Sequence, residues 1–134
     1  MTLATFTAAL GALSVTGVKK AYTAPPAQLA TANLPALYPR IPASLATTIP
    51  VLAGGGVDLR RLTAEIVIVV EALGQSTAPT NFERTVGLID ALHDALAVAA
   101  ETDESIDGWA LRLTAEEVGD NAYWMLVATV NGSE

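Results

Sequence analysis

"LTAEIVIVVEAL", residues 62–73, is the stretch on which the fold turns. Its five successive β-branched residues, Ile66 to Val70, favour extended backbone, because stiff branched side chains pack well on a pleated surface. Strand alternation puts Leu62, Ala64, Ile66, Ile68 and Val70 on one face. Thr63, Glu65, Val67, Val69 and Glu71 fall on the other. The middle is apolar on both sides, so the strand is expected inside a sheet and covered on both faces near its midpoint.

Downstream, "NFERTVGLIDALHDALAVAAE" (81–101) changes period. Phe82, Val86, Ile89, Leu92 or His93, and Leu96 recur at helical spacing, with Glu83, Asp90 and Asp94 opposite. Thr80 followed by Glu83 reads as a capping box that starts this helix. An acidic loop, "TDESIDG", leads into "WALRLTAEEV", a "GDN" turn and "AYWMLVATVNG". Both runs alternate with period two about a short turn, which predicts a β-hairpin. Trp124 is expected in the core in preference to a ligand platform. Tyr123 falls on the opposite sheet face, under the helices or in an interface.

Upstream, "TLATFTAALGAL" (2–13) predicts a first helix capped by Thr2, with Leu3, Phe6, Leu10 and Leu13 on one face and a stop at Gly17. "VKKAYT" follows as a short extended segment, where Lys19 and Lys20 mark an edge strand. Residues 25–61 are irregular. Pro35, Pro39, Pro42 and Pro50 each remove a backbone donor, and Gly54, Gly55 and Gly56 make a pliable turn. Short strands fit "ALYPRI" and "TTIPVL". The segment is either a long surface loop or an arm or β-flap. In the favoured arm reading, Leu37, Tyr38, Ile41, Ile49, Val51 and Leu52 bury against a neighbouring subunit. Arg60 and Arg61 either pair with acidic groups of that neighbour or begin the long strand in solvent.

The order is helix, short strand, irregular arm, long strand, helix, hairpin. It predicts one α+β domain over residues 1–134, a mainly antiparallel sheet packed with two helices, with 25–61 as the arm. Fourteen acidic residues against seven basic ones leave a net charge of −7, which argues against binding nucleic acid by phosphate neutralisation. Apolar residues reach 51%, and mean hydropathy is +0.43, so subunit association is expected alongside core burial. No apolar run approaches the roughly 18 residues of a membrane span. The lysine pair follows the apolar N-terminal stretch, the reverse of a secretory leader, so a core helix is the better reading.

Catalytic chemistry has little to work with. The chain has no cysteine, and its one histidine, His93, lies between Asp90 and Asp94 on a helix whose solvated face accounts for all three. The clusters Asp103, Glu104, Asp107 and Glu116, Glu117, Asp120 lack calcium-loop spacing. "GGG" is followed by no GK[ST], so it is not a phosphate loop. No catalytic, cofactor-binding or metal-binding residue is expected, and the chain does not read as an enzyme.

"TLATFTAALGALSVTGVKKAYTAPPAQLATANLPALYPRIP", "TNFERTVGLIDALHDAL" and the terminal "YWMLVATVNG" together resemble the small neck and tail-completion proteins of long-tailed bacteriophages, in particular the tail terminators. The resemblance covers nearly the whole chain through its layout, without a catalytic motif. It implies a structural virion protein of the neck. Its subunits would form a hexameric ring that caps the tail tube, stops its growth and offers a surface to the head connector or stopper protein. DNA would pass through the lumen unread, as suits an acidic chain. The arm would contact the next subunit or the tube, and deleting residues 42–52 would leave a folded, unassembled monomer. The alternatives are another connector or stopper component, and a small α+β ligand-binding domain with a pocket beside Trp109 or Trp124.

Overall fold

The computed structural model describes residues 3–42, 47–48, 61–73, 78–102 and 106–133. In chain order the elements are α1 (Leu3–Gly11), β1 (Lys20–Ala21), a 3-10 turn (Thr31–Asn33), β2 (Ala36–Arg40), β3 (Thr47–Thr48), β4 (Arg61–Ala72), α2 (Ala78–Thr102), β5 (Ile106–Val118) and β6 (Asn121–Ser133). The sheet order is β1-β2-β4-β6-β5, and β3 pairs with β4 beyond the end of β2. All pairings are antiparallel except β1 with β2. The architecture is α+β, as its element pattern predicts.

The 62–73 stretch is the interior strand expected of it. Leu62, Ala64, Ile66, Ile68 and Val70 pack with Phe6 and Leu10 of α1 and Leu88, Leu92 and Leu96 of α2. Both helices therefore cover one face. Val67 and Val69 join Leu34, Ala36, Tyr38, Tyr123, Met125 and Val127 on the other, with Tyr22 and Leu29 packed against them. That second cover comes from the connection between β1 and β2, whose residues 22–34 cross the sheet, and the Tyr123 hydroxyl donates to the Leu29 carbonyl at 3.4 Å. Tyr123 thus sits under this connection, on the face away from the helices.

Alternation along β4 holds as far as Val69. A bulge between Val69 and Glu71 then brings Glu71 opposite Trp124, onto the helix side, where Arg84 of α2 lies 3.8 Å away. The buried Oε1 of Glu71 has no hydrogen-bond partner among the described residues.

Four expectations change. Helix α1 ends at Gly11, six residues before the predicted stop, and Gly17 (φ +96°) makes a later turn. The last helical residue lies against β2: a Cβ on Gly11 would stand 3.1 Å from Pro39 Cγ, so only glycine allows this close approach. Thr80 lies within α2, which begins at Ala78, so it does not cap it. The buried stripe of α2 runs through Leu88, Leu92 and Leu96, while Phe82 and Val86 are exposed. Trp124 is also exposed, because it lies towards the end of the sheet, past the Leu88–Leu96 stripe that covers its middle.

Part of the predicted arm is sheet. Strand β2 sits between β1 and β4, and Pro39 lies within it, opposite Ile66. The carbonyls of Pro35 and Leu37 accept from Lys19 and Tyr22, so the odd positions of β2 turn their backbone groups toward β1. Pro39 points its nitrogen the same way, past the last residue of β1, and removes no bond to β4.

The hairpin turn is two residues, Gly119 and Asp120, between paired Val118 and Asn121. Gly119 has φ +63° and is the glycine-first residue of a II′-like turn. A Cβ there would stand 2.9 Å from the Ala27 carbonyl oxygen. Gly119→Ala is expected to destabilise by about 1–3 kcal/mol, through backbone strain and displacement of the covering connection. Urea denaturation checks this.

Candidate functional site

Two features stand out from the packed core. The first is an ionic cluster on the second face of the sheet. Glu65 is one of the few charges that β4 carries into the interior, with a side chain 5% exposed. Its Oε1 accepts from Arg40 Nε at 2.8 Å, and its Oε2 accepts from Arg112 Nη2 at 2.9 Å and from the Thr129 hydroxyl at 3.4 Å. Arg40 Nη1 and Nη2 both donate to Glu116, at 3.0 Å each, a bidentate pair. Arg112 Nη1 donates to Thr129 Oγ1 at 3.0 Å. Side chains from β2, β4, β5 and β6 thus meet around a cleft of about 650 Å³ that Ile41 and Pro42 also line.

Two positive and two negative groups make this cluster close to neutral. Burial works against the Glu65 carboxylate, but the hydrogen bonds and charges of Arg40 and Arg112 outweigh it and hold its pKa below the ordinary value. Burial likewise opposes the Arg40 charge, and the bonds to Glu116 and Glu65 outweigh it, so its pKa is raised. Burial raises the Tyr38 hydroxyl too, against the lowering influence of Arg40. Every charge here is already paired, so the cluster's chemistry is that of a cross-link: it ties the hairpin to β2 and β4.

The second feature is an apolar strip at the β5 edge. Phe82 is 70% exposed, Val86 41%, Leu113 52% and Trp124 40%. Phe82 and Val86 are one helical turn apart on α2. Leu113 pairs with Leu126 and Trp124 with Ala115, so the two are diagonal neighbours on the helix face of the hairpin. The His93 ring lies 5.7 Å from Trp109 of β5, which sets this flank of α2 along the β5 side of the sheet. Arg84 beside Glu71, which pairs with Trp124, places the start of α2 at the same end. Strand β5 pairs with β6 alone among the described strands.

The residues proposed from sequence as a subunit or tube interface fare unevenly. Leu37 and Tyr38 are buried within the subunit, on opposite faces of the sheet, and are corrected to core residues. An isolated short strand between prolines looked like an arm because nothing local shows that β1 and β4 flank it. Ile41 is half-exposed at the ionic cleft, and Arg61 begins β4 opposite Ser133. Ile49, Val51, Leu52 and Arg60 lie outside the described residues, as does most of the 42–52 segment. His93 is exposed against Trp109, and no group of three or more His, Cys, Asp or Glu is set to hold a metal among the described residues.

Sequence reasoning missed both features. The only signal for the first was a glutamate beside five β-branched residues, which needs a buried cation once the strand is interior. The second had no local signal, because Phe82 and Val86 extend the apolar stripe of α2 and only the position of the sheet beneath decides which part is covered.

No protein-family model matches the chain, and a search of curated proteins finds no match.

Proposed function

We propose that this chain is a structural subunit of a phage neck, a tail terminator whose copies form a hexameric ring on the tail tube. The ring stops tube growth and offers its outer surface to the head connector. The observation that carries the reading is the exposed apolar strip of Phe82, Val86, Leu113 and Trp124 beside a 13-residue strand at the end of the described sheet. Two aromatic and two aliphatic side chains in one solvent-facing strip are the composition of a protein–protein contact. The layout shared with tail terminators supplies the particular role, and the net charge of −7 suits a lumen through which DNA slides.

The closed ring is testable by native mass against concentration. Six copies of 13.8 kDa give about 83 kDa, and that species is expected to accumulate as concentration rises. Added tail-tube protein from the same phage is expected to bind the ring at the end of the tube and halt its elongation. A dimer that persists at all concentrations would overturn the ring reading.

A further inference from the structure

The two edges of the sheet are unlike each other in relief and in charge. At the β5 edge bulky apolar side chains stand in solvent, the strip of Phe82, Val86, Leu113 and Trp124. Exposed Glu83, Asp90 and Asp94 lie along the neighbouring outer face of α2. Helical spacing puts these three within about 40° of one another, an acidic ridge beside the apolar strip.

At the β1 edge the relief is reversed. Helix α1 leans over β2 and β1, held close at Gly11, where a Cβ would lie 3.1 Å from Pro39 and 3.8 Å from the Tyr22 carbonyl. Its outer flank is made of small residues. Ala4, Thr7, Ala8, Gly11, Ala12 and Thr23 line a hollow of about 300 Å³ there. Lys19 is exposed on the same edge, whereas Lys20 pairs with Ala36 and carries its ammonium 5.4 Å over the Tyr22 ring, on the other face of the sheet.

We infer that the β5 edge of one copy seats on the β1 edge of the next, with the apolar strip entering the alanine-lined hollow and the acidic ridge of α2 facing Lys19. Bulky side chains meet a hollow with room for one or two of them, and opposite charges meet around it. A second copy of this chain is therefore the occupant that fits both edges. The contact is heterologous, because the two surfaces lie at opposite ends of the strand order, and repeated contacts of this kind build rings or open chains. Side-chain docking is favoured over strand addition because Asp107, Arg112 and Glu117 put charges along β5, which discourages edge-to-edge pairing. The pairing deepens the ring reading by naming which edges meet, yet it can stand or fall separately.

The chain has no cysteine, so single thiols can be introduced cleanly. Val86→Cys and Ala8→Cys, both at exposed positions, are made as separate full-length proteins, mixed, and treated with a short bis-maleimide cross-linker. The expected product is a cross-linked dimer of one Val86→Cys and one Ala8→Cys chain, in at least tenfold excess over either homodimer. Adding Leu113→Asp to the Val86→Cys chain is expected to reduce that product at least tenfold, and circular dichroism confirms that this variant is folded. Homodimers cross-linked through Val86→Cys alone would replace the pairing with a twofold contact and overturn it, and so would the absence of any mixed product. The double variant Ala8→Cys/Val86→Cys separates the two ideas. A cross-linked ladder that stops at six chains supports both, whereas a ladder that runs on without a limit keeps the edge pairing and removes the closed ring.

Discussion

Glu65→Ala is expected to lower folding stability by about 2–3 kcal/mol, the largest loss from any single charged position in the described structure. The reason is what remains, not only what is removed. Arg40, whose side chain is 20% exposed, loses its Nε acceptor in a largely desolvated position, whereas Arg112, 49% exposed, loses its Nη2 acceptor and can turn to solvent in the cleft. Glu116 still holds Arg40 through its two outer nitrogens, which keeps the cost from rising further. Glu65→Gln keeps the volume and one acceptor and is expected to cost less than the alanine. Urea denaturation of the three proteins at neutral pH measures the order.

The same carboxylate sets a pH dependence. Its folded pKa is depressed, so its contribution is fully present above its ordinary value of 4.5 and disappears as pH falls through the lower folded value. The stability difference between the native sequence and Glu65→Gln is therefore expected to be flat from neutral pH down to about 4.5 and to shrink below it. A difference that grew on acidification would show that Glu65 is not ion-paired in the folded protein.

Leu92→Ala is expected to cost about 2–5 kcal/mol, with Phe82→Ala close to neutral for monomer stability. Leu92 lies fully buried at the centre of the α2 stripe, against the β4 side chains that face the helices, and truncating it leaves a cavity there. Phe82 lies on the same helix and is the larger side chain, yet it is 70% exposed, so its removal withdraws little surface from water in the single subunit. A ranking by side-chain size alone puts the two the other way. Thermal or urea unfolding at a concentration low enough to keep the protein monomeric tests the rotation of α2 directly.

Much of the fold was legible because it rests on short-range periodicity. The faces of β4 up to Val69, the hairpin, the edge position of β1 and the presence of two helices follow from spacings of two and three or four residues. The limits of that reasoning are equally local. It assigned Glu71 by alternation, and a bulge moved it to the other face. It treated the segment around Leu37 and Tyr38 as an arm because two prolines bracket it closely, although Pro39 needs only an open flank on the β1 side to fit.

The candidate surfaces were less legible. Arg40, Glu65, Arg112, Glu116 and Thr129 are scattered over ninety residues, and no spacing links them. The apolar strip joins residues from α2, β5 and β6, each unremarkable in its own element.

By itself the sequence determined the α+β class, the interior strand at 62–73 and its two apolar faces, because a side chain's face follows from strand or helix period alone. Only the tertiary structure decided that the β1–β2 connection would cover the second face, that four strands would converge on Glu65, and that Phe82 and Trp124 would remain in solvent. Those outcomes depend on how far each helix reaches across the sheet and how the sheet is ordered. Such quantities are set by packing between elements distant in the chain, which no local pattern encodes.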